Sequence, residues 1–312
     1  MSGGEASAYD IVVLGGGLAG LTASLFAARQ GHPTLVLESG VPGGHLVNVE
    51  RVEDFPGFPA GVAGVELCPV TQEQAANAGA DFAMAHVQAL RRSEPGWLVE
   101  TSDGAYHGKV VIIAVGSSPR PLGVQGETEY VGRGVSHCAT CDGPLFRGQP
   151  VGVIGGGDSA LQEALTLAGF ASHVSVFHRE RQLEAQQAYR ERVRGRPEIE
   201  LRYAAVEAIL GEAAVTGVRV RDLAGDERSV VALAGVFPFV GLQPNTAFLA
   251  DVLRLDPAGH VPTDVWMRTD LQGVFAAGDV RQDSASQAIS AAGDGATAAI
   301  AAHRYLEDKT WR

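Results

Sequence analysis

The chain has 312 residues, with 24 Lys and Arg against 36 Asp and Glu, a formal charge of −12, and 46% hydrophobic against 19% charged residues. That length accommodates two domains with separate cores, the mixture is that of a folded globular protein, and the acidic balance argues against nucleic acid, whose binders carry a basic stripe or patch. No uninterrupted apolar run nears the roughly 20 residues that span a bilayer, and "MSGGEASAYDIVVLGGG" lacks the basic start and apolar core of a signal peptide, so a cytoplasmic protein with no membrane partner is expected.

The first elements are a strand, a turn and a helix. "YDIVVLGGG", from Tyr9, is a short β-branched apolar run of the kind buried on both faces. "GLAGLTASLFAARQG" has helical spacing and ends at a glycine suited to a C-cap, and "PTLVLES" reads as a second buried strand. At the strand-to-helix turn, Gly15, Gly17 and Gly20 fill the pattern G-x-G-x-x-G. The first permits the tight turn, the second lets backbone approach a pyrophosphate, and the third lets helix and strand pack closely. The helix N-terminus offers unpaired N–H groups and the positive dipole end to phosphates. Glu38 closes the second strand, where a carboxylate takes ribose hydroxyls. Strand, helix, second strand and acid together point to a bound dinucleotide rather than a tight loop without a ligand.

Amphipathic strands follow around "GWLVETSDGAYHGKVVIIAVGSSPRP". Beyond them "SHCATCDGP", residues 136–144, holds two of the three cysteines. Three readings are open for Cys138, Cys141 and the adjoining Asp142. A structural zinc site takes four Cys or His ligands, and only Cys68 and His137 remain in view, so no metal is expected. Two inert buried thiols are the second reading. The third is a redox pair cycling between dithiol and disulfide, with a carboxylate close by to handle a proton, and a chain with dinucleotide folds favours it. Cys68, in "GVELCPV", has no such setting and is expected in packing.

The strand–turn–helix–strand design then recurs in "PVGVIGGG", "DSALQEALTLAGF" and "HVSVFHRE", with Gly155, Gly157 and Ala160 at the motif positions. An NADP site wants arginines after the second strand and an NAD site an acid. Here Arg179 and Arg181 alternate with Glu180, and Glu184 follows. Another strand-rich region ends in "GVFPFVGLQPNTAFL", and the tail carries the strand "GVFAAGDV" and the helix "SQAISAAGDGATAAIAAHRYLED". The first unit needs further chain to complete its sheet, so an α/β fold of two Rossmann-like dinucleotide-binding domains is expected, the second inserted in the first. The outer domain takes residues 1–118 and 246–312, and the inner one 119–245. The crossovers near Ser117–Pro121 and Gly241–Thr246 are punctuated by Gly and Pro and suit a hinge.

In order along the chain, "LGGGLAGLTAS", "GGHLVNVERVEDFPGF", "CATCDG", "VIGGGDSALQEAL", "FVGLQPNT" and "VFAAGDV" give it a resemblance to the low-molecular-weight, prokaryotic-type thioredoxin reductases, over nearly the whole length. The resemblance implies the fold of the FAD/NAD(P)-dependent disulfide reductases, one FAD in the outer domain, a pyridine nucleotide in the inserted one, a homodimer, and thioredoxin or a similar protein disulfide as substrate. It implies that Cys141 lies against the flavin and receives its electrons, that Cys138 attacks the partner disulfide, and that Asp142 handles protons. It further implies that the inserted domain swings about its two connections, showing the pair in turn to flavin and partner. FAD contacts carry over to Gly15, Gly16, Gly17, Leu18, Ala19, Gly20, Glu38, Ser39, Gly43, Gly44, His45, Asp54, Val87, Gly116, Gly278, Asp279, Gln287 and Ala288. The second dinucleotide site carries over to Gly155, Gly156, Gly157, Asp158, Ser159, Ala160, His178, Arg179 and Arg181.

The chain departs from this family at identifiable places. His45 stands for the usual glutamine and Asp54 for asparagine; Glu180 and Glu184 replace two arginines that hold the NADPH 2′-phosphate, and Ser286 replaces a third cation nearer the flavin. Three functions follow. One is a reductase using NADPH or NADH with a weakened preference for NADPH. Another is a diflavin-linked or ferredoxin-dependent disulfide oxidoreductase, in the diflavin case with a second FAD in the nucleotide site. The third is a redox sensor without turnover, for which the chain supplies no effector domain.

Overall fold

The computed structural model describes residues 7–311. In chain order the first elements are β1 (Ser7–Leu14), α1 (Leu18–Arg29), β2 (Thr34–Glu38), α2 (Gly64–Asn77), β3 (Asp81–Met84), β4 (Val87–Ser93), β5 (Gly96–Thr101), β6 (Gly104–Ile113) and β7 (Ser117–Pro119). Next come α3 (Ala139–Asp142), β8 (Pro150–Ile154), α4 (Asp158–Leu167), β9 (His173–His178), α5 (Gln187–Arg194), β10 (Ile199–Gly211), β11 (Val215–Asp222), β12 (Arg228–Ala232) and β13 (Gly235–Pro238). The chain finishes with β14 (Leu242–Pro244), β15 (Val274–Ala276) and α6 (Ala288–Asp308). Residues up to Ser118 and from Gln243 onward form one compact unit, and Pro119–Leu242 form the other. At the two crossovers β7 pairs with β14.

The first unit is built on a sheet of order β3-β2-β1-β6-β5-β4, with β15 also paired to β6. Its centre is parallel, so β1 is apolar on both faces. Ile11 and Val13 pack with Val36, Val110 and Ile112 under the alanines of α1 and α6, while Val12 and Leu14 join Leu35, Leu37, Val111 and Ile113 on the opposite side. The strand "GVFAAGDV" does complete this sheet: β15 lies parallel to β6, with Val274 opposite Val111. The long C-terminal helix starts later than its apolar spacing suggests. Ser286 takes φ of 51° and Gln287 becomes the N-cap, its side chain and that of Ser290 closing a capping box.

Beneath α6, the guanidinium of Arg281 donates to both carboxylate oxygens of Asp294, at 2.8 and 3.2 Å, and Asp294 also accepts the Gly278 N–H. Both side chains are largely covered. Removing one partner of such a pair strands a charge, whereas replacing both by apolar groups can be neutral. Asp294→Ala is therefore expected to lower stability by about 3 kcal/mol, read as a fall in the denaturant midpoint. The double replacement of Arg281 by Met and Asp294 by Leu should recover most of that loss.

The second unit has a sheet of order β12-β11-β10-β9-β8-β13. Strands β13, β8, β9 and β10 run parallel, and β11 and β12 extend the sheet antiparallel. Ala139 of α3 and Leu161, Ala164 and Leu167 of α4 pack on Val151, Val153 and Phe237. This packing ties the cysteine segment to the body of the unit. Among the described residues, no helix is long and apolar enough to cross a membrane.

Candidate active site: a cysteine loop and two glycine turns

The first glycine turn joins β1 to α1. Gly15 has φ of 102°, a conformation open to glycine, and any Cβ there would overlap the carbonyl oxygen of Ala114. A Cβ on Gly20 would overlap the carbonyl oxygen of Gly15, so helix and turn close on each other only without a side chain. Gly17 is different. No atom stands within 4 Å of where its Cβ would be, which leaves the N-terminus of α1 accessible. The Gly16 N–H donates to Glu38 Oε2 at 2.7 Å, and Gly40 N–H to Oε1 at 2.8 Å, so the carboxylate at the end of β2 is held beside the turn.

Further predicted residues gather here. Gly43 donates its N–H to Gly16 O at 2.7 Å and forms a bridge with Gly17, which brings the Gly44–Asn48 turn and His45 alongside. His45 Nε2 lies 2.7 Å from Ser117 O. Gly278 faces Ala19, whose Cβ would stand 2.9 Å from a Cβ on the glycine. Burial pushes the carboxyl of the neighbouring Asp279 up, His45 partly offsets this, and Asp294 adds to it. Leu18, Ala19 and Gly20 are buried in the first turn of α1, Ser39 follows Glu38, Gly116 precedes β7, and Gln287 and Ala288 open α6. Asp54 sits in the segment between the bridged Val52 and Val62, and Val87 opens β4.

The arrangement fits FAD. The open Gly17 turn admits a pyrophosphate, Glu38 stands ready for ribose hydroxyls, and Asp279 offers a desolvated acceptor suited to a hydroxyl donor.

The second turn repeats the first with local changes. Gly155 has φ of 141° and a Cβ there would overlap the Phe239 carbonyl oxygen, while Gly157 is open. Asp158 and Ser159 begin α4, and Ala160 is fully buried against Gly155. The clearest difference lies at the end of the second strand. A Cβ on Gly16 would face Glu38 Cβ at 3.2 Å, and one on Gly156 would face His178 Cβ at 3.5 Å. His178 thus takes the position that an acid occupies in the first unit, and its Nδ1 pairs with Glu180 O at 2.8 Å. Arg179, Glu180, Arg181 and Glu184 are all exposed beyond it.

Cys138 and Cys141 form a disulfide with Cα atoms 5.3 Å apart. Cys138 is the N-cap of α3 and half-buried; Cys141 is exposed and Asp142 half-buried. The Cys141 N–H donates to Cys138 Sγ at 3.1 Å, a contact that favours thiolate at Cys138 once the bond is reduced. Three residues that the sequence gave no reason to select for this role hold the loop. Ser136 Oγ accepts the Cys138 N–H at 3.1 Å, Glu163 of α4 accepts the Ala139 N–H at 2.7 Å, and His137 Nδ1 lies 3.1 Å from Pro238 O. Only the tertiary structure brings Glu163 and Pro238 to the loop, and no spacing rule marks them.

Cys68, the remaining cysteine, is fully buried in α2. Burial pushes its thiol up to about 11. Its side chain packs against Gly43, so it serves the wall of the first glycine turn rather than thiol exchange.

A disulfide on a partly exposed loop, in a chain with two strand–glycine turn–helix units of the dinucleotide-binding pattern, has the layout of a dinucleotide-dependent disulfide oxidoreductase. Residues 9–295 match the family described as pyridine nucleotide-disulphide oxidoreductase. Among known proteins, a thioredoxin reductase of Treponema pallidum is 40% identical over 300 residues, covering 96% of this chain and 97% of that one. A bifunctional thioredoxin reductase/thioredoxin of Mycobacterium leprae is 41% identical over 303 residues, covering 96% of this chain and 66% of that one. The solved thioredoxin reductase of Lactococcus lactis, in the FR conformation, superposes with a TM-score of 0.94 at 38% identity, covering 96% of this chain and 99% of that one. The chain belongs to this family and, within it, to the low-molecular-weight thioredoxin reductases of prokaryotic type, which makes it an FAD flavoprotein and an oxidoreductase.

Proposed function

We propose that the protein passes electrons from a reduced pyridine nucleotide to the Cys138–Cys141 disulfide and on to the disulfide of a thioredoxin-like protein. The observation that carries this reading is the Cys138–Cys141 bond itself, on an accessible loop, with the Cys141 N–H aimed at Cys138 Sγ. FAD, when bound in the first unit, supplies the two-electron relay between nucleotide and disulfide. In the reduced loop Cys138 attacks one sulfur of the target disulfide and releases its other sulfur as a thiolate. Cys141 then attacks Cys138, which restores the loop disulfide and frees the target as a dithiol. Asp142, next to Cys141, handles the proton. The pairing of β7 with β14 supports a hinge there, on which the second unit carries its loop between flavin and partner. The Mycobacterium leprae relative, named for reductase and thioredoxin together, supports the choice of partner.

For the donor, His178 at the end of β9 supports a nucleotide with a phosphorylated ribose over NADH, since no carboxylate holds that position. Glu180 and Glu184 oppose the phosphate from solvent, so the preference for NADPH is narrow. Replacing both by arginine is expected to raise the NADPH-to-NADH ratio of kcat/KM by about tenfold, less at high salt because exposed charges are screened. The same two carboxylates are the specific support for the second reading, a diflavin-linked or ferredoxin-dependent enzyme. The experiment that tests the reading releases and counts the flavin per chain, then titrates the protein anaerobically with NADPH and NADH. One flavin, reduced by NADPH, is expected; two flavins, or no reduction by either nucleotide, would move the assignment to the second reading.

The setting we propose is the cytoplasm, and the state a homodimer. Phe26 on α1 with Val65 and Val70 on α2 are exposed apolar residues, and such residues support self-association.

A further inference from the structure

We propose that the first unit holds a site for a transition-metal ion such as Zn(II), made by His32, His303 and Glu307 and remote in sequence from the cysteine loop. Their ligand atoms all lie within 4.8 Å of one another. His303 and Glu307 are four residues apart on α6 and so share one face of the helix. His32 comes from the turn between α1 and β2, and its Nε2 stands 2.9 Å from His303 Nδ1.

The hydrogen bonds around this group favour a ligand. Asp10 Oδ2 lies 3.4 Å from His32 Nδ1, and its other oxygen takes the ammonium of Lys109 at 2.6 Å. With Lys109 on its other oxygen, Asp10 is placed to accept the Nδ1 proton of His32, which leaves a lone pair on Nε2, aimed at His303. Without metal, the Nδ1 proton of His303 fills that gap. With metal, His303 carries its proton on Nε2 and both lone pairs face the ion, so binding asks only for a change of tautomer at His303 and releases no proton. The carboxylate–histidine–metal sequence is the usual way that a ligating imidazole is fixed in tautomer and direction.

The donor set of two imidazoles and a carboxylate selects a borderline cation over Mg(II) or Ca(II), which prefer all-oxygen shells. With Zn–N bonds of about 2.0–2.1 Å, tetrahedral nitrogens stand roughly 3.3 Å apart, so the rings need to separate by only about 0.4 Å. His32 is buried, His303 half-buried and Glu307 exposed, which leaves solvent access for a water as fourth ligand. A bound ion would fasten the end of α1 to the last turns of α6, two elements packed together in the core of the unit.

The test is equilibrium dialysis of the untagged, flavin-loaded protein against Zn(II) in excess Mg(II), followed by metal analysis. The protein is kept oxidised, so that Cys138 and Cys141 stay in their disulfide and cannot bind the ion. One Zn(II) per chain is expected, together with a rise in melting temperature. His303→Asn and Glu307→Gln should each weaken binding at least about tenfold, and Asp10→Asn by about 10–100-fold. Flavin content should stay unchanged in the two helix variants, and so should the melting temperature of Glu307→Gln in EDTA; His303→Asn also loses its bond to His32 and is compared with the wild type by metal uptake alone. Uptake by the wild type no greater than by His303→Asn, or full retention in all three variants, would overturn the proposal.

Discussion

Serine in place of Cys138 or Cys141 is expected to lower reduction of a thioredoxin-like disulfide by at least about a thousandfold, because each sulfur is an irreplaceable exchange partner. Reduction of the flavin by nucleotide should continue in both variants. The two should nonetheless differ. Cys141→Ser leaves Cys138 able to attack but without a resolving thiol, so a stable mixed disulfide with the target is expected and can be seen by mass spectrometry. Cys138→Ser should trap little, because the Cys141 N–H is directed at Cys138 Sγ and stabilises the attacking thiolate there. Equal trapping by both variants would reverse or dissolve the assigned roles.

The second large effect contrasts the two glycine turns. Gly20→Ala forces a Cβ into the carbonyl oxygen of Gly15, a backbone atom that cannot step aside without moving β1 or α1. A loss of at least about 3 kcal/mol is expected, with purified protein largely free of FAD. At the matching position of the second turn a methyl is already in place, since Ala160 packs there fully buried. Ala160→Gly should cost no more than about 2 kcal/mol, through the lower helix propensity of glycine and one lost methyl, and leave the flavin bound. Flavin absorbance per chain and a denaturant curve check both variants. If Gly20→Ala keeps full flavin content, the first turn does not grip the cofactor as described.

How much of this was readable in the sequence follows from where each constraint resides. The units β1–α1–β2 and β8–α4–β9 are legible because their strands are buried on both faces and read as unbroken apolar runs, and because the glycine pattern is local. The inserted arrangement is legible from "GVFAAGDV", a strand with no neighbour near it in the chain. The remainder depends on contacts between distant residues. Glu163 holds the cysteine loop from a different helix, and Arg281 and Asp294 meet only because α6 folds back on its preceding turn. The ligand set of His32, His303 and Glu307 spans nearly the length of the chain, so no spacing rule reveals it. His178 escapes notice as the counterpart of Glu38, since its meaning lies in the direction of a Cβ rather than in its residue type. The late start of α6 reflects local chemistry: the bond exchange between Gln287 and Ser290 is stronger than the continuation of apolar spacing to Ser286.

The central claim is that the Cys138–Cys141 disulfide and the flavin share electrons within one chain. Anaerobic titration of the flavin-loaded protein with dithionite measures this most directly. The wild type is expected to take up four electrons per chain, two on FAD and two on the disulfide. The variant with serine at both positions should take up two. Uptake of two electrons by both proteins would contradict the account, because it would show a disulfide that the flavin never reaches.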